Sequence, residues 1–170
     1  GQWRYSDARI VEVEHRSPGP DLRASGPPTR AYDIAPHAGA TGFDDSSWPI
    51  IRPEELEARR TNGRLSFGWY RLTLTVPEKV GAFATSGSTI VFEVVVDDYA
   101  EVWVDGQLPV ALGQTGAQFV KGFNAPNRVV ISRAAVPGQK IQLAVFGANG
   151  PLSNPPGNFV WVRSATLDSK

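Results

Sequence analysis

Glycine and proline divide this chain into short apolar runs, and this division limits the possible folds more than any other feature. The chain has 170 residues, of which 17 are glycine and 14 are proline. These residues fall between the apolar runs instead of inside them. Such a pattern indicates β-strands joined by shaped loops. Because single cores usually span roughly 100–200 residues, the sequence predicts one domain over residues 1–170.

The strands are recognisable by their alternation of apolar and polar side chains. In the strongest one, residues 69–76, Tyr70 and Leu72 take one face while Arg71 and Thr73 take the other. Further strands are predicted at residues 9–15, 88–96, 99–104, 118–121, 128–132, 140–146 and 158–166.

The connections carry turn and loop signals. Asp105-Gly106 is a strong two-residue hairpin signal, and Pro137-Gly138 supplies another turn. Residues 17–28 are too rich in proline to pair within a sheet. Residues 53–60 are the one convincing helix, because proline opens the stretch, acids fill its first turn and arginines its last. The pattern predicts an all-β fold, an antiparallel β-sandwich or jelly roll of about eight or nine strands with one short helix.

Composition excludes several classes of site and partner. The chain has no cysteine, which rules out disulfides, thiolate metal sites and cysteine nucleophiles. Lysine and arginine (17) balance aspartate and glutamate (17). The basic residues are also scattered, so neither nucleic acid nor an anionic membrane is expected as a partner. No apolar run approaches the ~20 residues that span a bilayer. Gly1, which stands without an initiator methionine, suggests that targeting information was removed.

Few residues are suited to catalysis. His15 and His37 lie outside any metal-ligand spacing, and the serines at 46–47 lack the G-x-S-x-G elbow. The pattern therefore predicts a protein that is not an enzyme.

Three pairs of adjacent acids remain to be explained. Glu54-Glu55 fits the start of the helix, and Asp44-Asp45 fits a turn. Asp97-Asp98 leads from a buried strand towards Tyr99. There the two aspartates fit equally well as caps on a strand crossover or as acceptors for sugar hydroxyls or Ca²⁺.

The tryptophans point more directly to a binding function. Trp103 shares a polar strand face with Glu101 and Asp105, which is an unusual place for a residue that only packs. For any single tryptophan a packing role is the stronger reading; Trp48, for example, is expected to fill the bottom of the sandwich. That at least one tryptophan stacks against a sugar ring is nevertheless expected. The predicted carbohydrate-binding residues are Trp103, Tyr99, Asp98, Glu101, Trp69, Arg71, Trp161, Arg163 and Asn124.

Several stretches follow a known order along about the last three-quarters of the chain. They are Phe43-Asp44-Asp45-Ser46-Ser47-Trp48, Gly68-Trp69-Tyr70-Arg71 with Val76-Pro77, the hairpin at 97–106, and Pro137-Gly138 before the strand at 141–145. This order resembles the N-terminal sugar-binding domain of family 2 glycoside hydrolases, with Asp105 in the family's usual asparagine place. The resemblance implies a galactose-binding-like jelly roll.

A second resemblance rests on residues 94–106, 122–130 and 161–167. These stretches are similar to the domain that precedes the propeller in some bacterial gluconolactonase-family proteins. The resemblance implies an accessory module of a secreted or periplasmic bacterial protein. Its partner would be the catalytic domain of the same parent chain. Lactonase activity is not implied, because the propeller's metal ligands have no counterpart in this chain.

Together these observations predict a non-catalytic carbohydrate-binding module that is accessory to a carbohydrate-active enzyme and binds poly- or oligosaccharide. The alternative is a structural, docking or dimerisation domain of a gluconolactonase-type enzyme that binds no sugar. A glycosidase or lactonase is the third and weakest hypothesis. No cofactor is required. The jelly-roll class allows a structural Ca²⁺ ion, whose ligands the sequence does not identify.

Overall fold

The strands of the chain pair antiparallel throughout the part of the structure that is described. The structure is a computed structural model that describes residues 2–52, 55, 66–96, 99–111, 114–115, 126–149 and 162–169. Its strands are β1 (Trp3–Arg16), β2 (Pro28–Ala35), β3 (Ile50–Ile51), β4 (Ser66–Thr75), β5 (Lys79–Val80), β6 (Phe83–Ala84), β7 (Ile90–Val96), β8 (Tyr99–Val104), β9 (Val110–Ala111), β10 (Gln114–Thr115), β11 (Pro126–Ser132), β12 (Lys140–Asn149) and β13 (Val162–Ser169).

Two sheets form the body of the protein. The larger sheet has the order β2-β1-β4-β12-β8, and β3 pairs with β1 as its sixth strand. The smaller sheet has the order β11-β7-β13. The sheets enclose a common core, so the predicted all-β, antiparallel sandwich is confirmed.

Period-two alternation explains which side chains enter this core. On β4, Tyr70 and Leu72 face inward, and on β8 Ala100 and Val102 do the same. The smaller sheet contributes a row of fully buried residues, of which Phe92 meets Trp3 across the core with ring centroids 6.4 Å apart. This face of the larger sheet is called the inner face below.

The opposite, outer face of the larger sheet carries a second apolar cluster, called the outer cluster. Its buried members are Ala38, Trp69, Ala144 and Phe146. Partly buried residues packed against them are Ala8, Ile34, Phe43, Trp48, Phe67, Tyr99, Trp103 and Ala148. Three of these cluster residues, Ala38, Phe43 and Trp48, belong to the connection between β2 and β3. This connection, residues 36–49, is called the covering loop because it lies on the outer face.

The second half of β1 and the whole of β2 form a two-stranded arm, residues 9–16 and 28–35. Its ladder places Ile10 opposite Ile34 and Glu12 opposite Tyr32. Ile10 is 47% exposed and Tyr32 is 73% exposed. The arm therefore presents large apolar side chains to solvent.

The predicted turns are confirmed. Asp105 and Gly106 both have positive φ, at 47° and 78°, as a tight two-residue hairpin requires. Val104 and Gln107 close this turn through hydrogen bonds of 2.8 and 3.0 Å in the two directions. Gly138 has a φ of 84°, in the left-handed region that glycine favours, and completes the turn that Pro137 begins.

The strand predictions differ from the structure in instructive places. The strand at 99–104 has the bounds of β8, whereas the strand predicted at 9–15 begins earlier, at Trp3. Six strands were not predicted, namely β2 and the two-residue strands β3, β5, β6, β9 and β10. The helix predicted at 53–60 lies outside the described residues except for Glu55, whose amide donates to the Arg52 carbonyl at 2.9 Å. The strand predicted at 118–121 also lies outside them, as does the first part of the one at 158–166. Within the described residues, no helix is long and apolar enough to cross a bilayer.

Candidate functional site

Strand β8 brings three of the predicted site residues together. Among the described strands it lies at the end of the larger sheet, paired on one side with β12. Alternation turns Tyr99, Glu101 and Trp103 to the outer face, opposite Ala148, Phe146 and Ala144 respectively. All three side chains remain partly exposed. These three residues are called the β8 triad.

The Glu101 carboxylate organises the triad. The Tyr99 hydroxyl donates to its Oε1 at 2.8 Å, and the Trp103 indole Nε1–H donates to its Oε2 at 3.0 Å. Each oxygen therefore accepts from one aromatic neighbour two residues away along the strand. A carboxylate has about four acceptor positions, so this arrangement leaves Glu101 able to accept from a ligand as well.

The surroundings of the triad affect the ionisation of Tyr99. Burial raises the pKa of the Tyr99 phenol well above its ordinary value, and the hydrogen bond to Glu101 and the charge of that carboxylate raise it further. Within the described ranges, no cationic nitrogen lies within 4.0 Å of the Glu101 carboxylate. Neutral donors alone therefore contact this carboxylate among the residues described.

Trp103 is less accessible than its place on a polar strand face predicts. Its indole packs edge-on against Trp69, with ring centroids 6.3 Å apart. A Cβ atom built on Gly39 would lie 2.6 Å from the Trp103 ring, so the covering loop approaches the indole closely at this glycine. The small side chain of Ala144 opposite leaves room for this packing. The part of Trp103 that remains exposed is what a ligand is able to contact.

Trp69, a predicted carbohydrate-binding residue, is buried in the outer cluster. Its side chain is 5% exposed and packs between Trp103 and Phe146, whose ring centroid is 5.0 Å away. Its indole nitrogen is buried and has no hydrogen-bond partner among the described residues. Trp69 therefore supports Trp103 from below and does not offer a face to a sugar.

Arg71, also a predicted carbohydrate-binding residue, makes its contacts with the covering loop. The side chain is 3% exposed, and its Nε donates to Asp45 Oδ2 at 2.8 Å. The rest of the guanidinium donates to the carbonyls of Ala38, Ala40 and Phe43 and lies over the Phe43 ring. Arg71 therefore fastens the covering loop to the sheet.

Arg4, which the sequence reasoning did not single out, fastens the same loop. Its Nη1 donates to the carbonyls of Asp45, Ser46 and Trp48 at 3.2, 3.0 and 3.0 Å. Its Nε lies 3.6 Å from Asp45 Oδ1, so Asp45 joins the two arginines. The three side chains Arg4, Asp45 and Arg71 are called the loop latch. A polar groove of about 280 Å³ opens beside the latch, towards Thr73.

The remaining predicted site residues are not brought to the triad by the part of the chain described. Arg163 lies on β13 in the smaller sheet, at the bulge between Val162 and Ser164. Asp98, Trp161 and Asn124 lie outside the described residues. Trp48, expected at the bottom of the sandwich, instead packs against Phe43 in the outer cluster with ring centroids 5.2 Å apart.

The predicted turn role of Asp44 is visible in its contacts. Its Oδ1 accepts from the Ser46 amide at 2.9 Å, and hydrogen bonds from Ser46 hold the pKa of this carboxyl below its usual value. No group of three or more potential metal-ligating side chains occurs in the described segments. The Ca²⁺ ion allowed by the fold class stays a prediction.

Comparisons with known proteins give matches of fold alone. No protein-family model matches the chain, and neither does any curated protein. A β-glucuronidase of Faecalibacterium prausnitzii is 18% identical with a TM-score of 0.45, over 86% of this chain and 20% of that one. A glycoside hydrolase family 2 member from Bacteroides cellulosilyticus is 19% identical with a TM-score of 0.47, over 96% of this chain and 20% of that one.

A further β-glucuronidase of family 2 is 15% identical, with a TM-score of 0.45, over 96% of this chain and 18% of that one. The chain thus spans about a fifth of the length of these enzymes. Their catalytic activities are properties of the neighbours, and the resemblance to gluconolactonase-family proteins finds no support in these comparisons.

Proposed function

We propose that this chain is a non-catalytic accessory domain of a secreted or periplasmic bacterial carbohydrate-active enzyme and that it binds saccharide at the β8 triad. Its second partner is the catalytic domain of the parent chain. The observation that carries the proposal is the arrangement of Tyr99, Glu101 and Trp103 on one partly exposed strand face. It combines aromatic surface with an organised hydrogen-bond acceptor.

Two features support a saccharide as the ligand. Sugar rings present C–H surfaces that pack on aromatic side chains, and their hydroxyls donate to carboxylates. The triad supplies both within one strand, and the buried Trp69 gives it a rigid floor. In addition, the sequence stretch that contains the triad is one of those that resemble the sugar-binding domain of family 2 glycoside hydrolases.

The expected affinity is low. Hydrogen bonds to sugar hydroxyls replace hydrogen bonds to water, so each contributes only about 0.5–1.5 kcal/mol net. A single small site of this kind corresponds to a Kd in the high micromolar to millimolar range, roughly −4 to −6 kcal/mol. Tight binding to a polysaccharide would then need several sites or several modules.

Affinity electrophoresis through gels that contain neutral or acidic polysaccharides tests the proposal. The wild-type chain should be retarded by one class of glycan. Trp103→Leu should lose that retardation, because leucine fills part of the space but offers no aromatic face. Trp48→Leu is the matched control, since Trp48 packs in the same outer cluster through a different neighbour, Phe43.

Circular dichroism should first show that both variants are folded. Retardation that survives Trp103→Leu would contradict the site, and the absence of retardation by any glycan would contradict the saccharide itself.

The docking or dimerisation alternative is supported by a separate surface. The arm exposes Ile10 and Tyr32, and β2 is an edge strand of the larger sheet in the part of the chain that the structure describes. Exposed apolar side chains on an unpaired strand edge are typical of surfaces that meet another protein. Self-association measured by sedimentation, lost in Tyr32→Ser while sugar retardation is absent, would favour this alternative.

A further inference from the structure

We infer that the β8 triad selects saccharides that carry a protonated amino group over neutral ones, and neutral ones over those that carry a carboxylate. The inference rests on the proposed function, since it concerns the ligand of that same site. It follows from the charge and the hydrogen-bond directions of three side chains.

The first step concerns the donors of the triad. The Tyr99 hydroxyl and the Trp103 indole N–H both point their hydrogens at Glu101. These donors are therefore already used, and the charged group that the triad presents is an acceptor. Ligand groups that donate hydrogen bonds are favoured at such a site, and an ammonium donates three.

The second step concerns charge. The Glu101 carboxylate is partly buried beside the outer cluster, where attraction between charges is stronger than in bulk water. No cation compensates it among the residues described. Arg71 lies on the outer face of the same sheet, but its guanidinium donates to Asp45. A ligand ammonium would supply the missing partner, whereas a ligand carboxylate would be repelled.

The third step concerns the aromatic rings. Tyr99 and Trp103 stand on the two sides of Glu101 along the strand, and each is within hydrogen-bond distance of it. Electron-rich rings attract cations over their faces, tryptophan most strongly. The two rings and the carboxylate therefore all favour a positively charged ligand group. Because the whole chain has a formal net charge of zero, the preference is a property of this site and not of the overall charge.

Glucose, glucosamine and glucuronate form a matched set of probes that differ chiefly in charge. Each sugar is titrated at fixed ionic strength and at about pH 6, where an amine of this type is protonated. Binding is followed by the NMR signal of the Trp103 indole N–H. Trp103→Phe assigns that signal. Glucosamine should reach its midpoint at about one-tenth of the concentration that glucose needs, a difference of ~1.4 kcal/mol. Glucuronate should bind most weakly.

Two variants with the same change of charge complete the test. Glu101→Gln should abolish the difference between the sugars, because the amide keeps the size of the side chain and loses its charge. Glu78→Gln should keep the difference, since Glu78 is an exposed residue between β4 and β5.

Equal midpoints for glucosamine and glucose in the wild-type chain would overturn the inference and leave sugar binding standing. The same holds if the preference survives in Glu101→Gln. Butylammonium is the probe for an ammonium without a sugar. A response to it as strong as to glucosamine, with none to glucose, would overturn sugar recognition and the inference together. The absence of any response to all four probes would do the same.

Discussion

The loop latch is open to a sharp test through the substitution Asp45→Asn. Asp45 accepts from Arg71 at 2.8 Å and lies 3.6 Å from Arg4, so one carboxylate pairs with two guanidinium groups. Asparagine keeps the shape and one acceptor oxygen but removes the charge. The substitution therefore isolates the electrostatic part of the attachment of the covering loop.

The magnitude follows from the burial of each partner. Arg71 is 3% exposed, and a hydrogen bond that involves a charged group is worth about 1.5–3 kcal/mol; asparagine keeps a weaker acceptor for the guanidinium but leaves this buried cation without its opposite charge. The Arg4 side chain is 28% exposed, so its pair with Asp45 adds about 0–1 kcal/mol. The expected loss is about 1–3 kcal/mol of unfolding free energy. With an m-value near 2 kcal/mol/M, this lowers the urea midpoint by roughly 0.5–1.5 M.

Urea unfolding followed by tryptophan fluorescence measures this loss, and Asp44→Asn is the matched control. It removes the same charge one residue away, where the carboxylate is exposed and its hydrogen bonds among the described residues come from Ser46. Its midpoint should stay much closer to that of the wild type. Equal midpoints for the two variants would refute the contribution of the Asp45 charge and leave the arginine–carbonyl hydrogen bonds and apolar packing to hold the loop.

Three further outcomes are expected. Gly39→Ala should lower the free energy of unfolding, measured in urea, by ~1–3 kcal/mol, because the new methyl group would lie 2.6 Å from the Trp103 ring. Gly42→Ala is the control and should be near neutral, since a Cβ atom there meets nothing within 4 Å. Equal effects of the two substitutions would contradict the close approach of the loop to Trp103. The tyrosinate absorbance that Tyr99→Phe removes should appear well above pH 10.0, since burial raises this pKa. The stability that Tyr99 contributes is then present below about pH 10 and falls as the pH rises further. Ionisation of Tyr99 near its ordinary pKa of 10.0 would contradict this expectation. Tyr32→Ser should change unfolding by no more than ~0.5 kcal/mol, because the side chain is 73% exposed, and a larger loss would mean that it packs within the fold.

Local sequence patterns predicted strand β8 well because its physics is local. Ala100 and Val102 alternate strictly with Glu101 and Trp103, and the Asp-Gly turn that follows fixes the end of the strand. The same alternation correctly separated the two faces. It therefore identified which side chains of β8 lie together.

Alternation did not reveal what covers the outer face. Arg71 and Asp45 are 26 residues apart, and the attachment of the loop depends on that long-range pair and on carbonyl groups that any residue carries. A polar residue on a strand face reads as solvent-exposed until such a partner is known. For this reason the burial of Trp69 and the contacts of Arg71 with the loop were not predicted, although the Asp-rich turn that holds the partner was recognised.

Strand β2 escaped prediction for a related reason. Its stretch Tyr32-Asp33-Ile34 alternates only briefly and stands between Pro28 and Pro36, both of which indicate a loop. The structure pairs it all the same, because the regular second half of β1 offers eight partner residues along its length. The alternating pattern that indicates this pairing therefore lies in β1 and not in β2.

Glu101 is the member of the outer face whose presence packing explains least. Its neighbours on the outer face of β8, Tyr99 and Trp103, and the residue opposite, Phe146, are aromatic, and the outer cluster beside them is apolar. A well-packed apolar residue at such a place is often as stabilising as a charged one or more so, because a charge must give up part of its hydration. The two aromatic donors recover some of that cost without neutralising the charge. A carboxylate held in this way is organised to meet a further donor, and this connects the local structure of one edge strand to the ligand chemistry proposed for the protein.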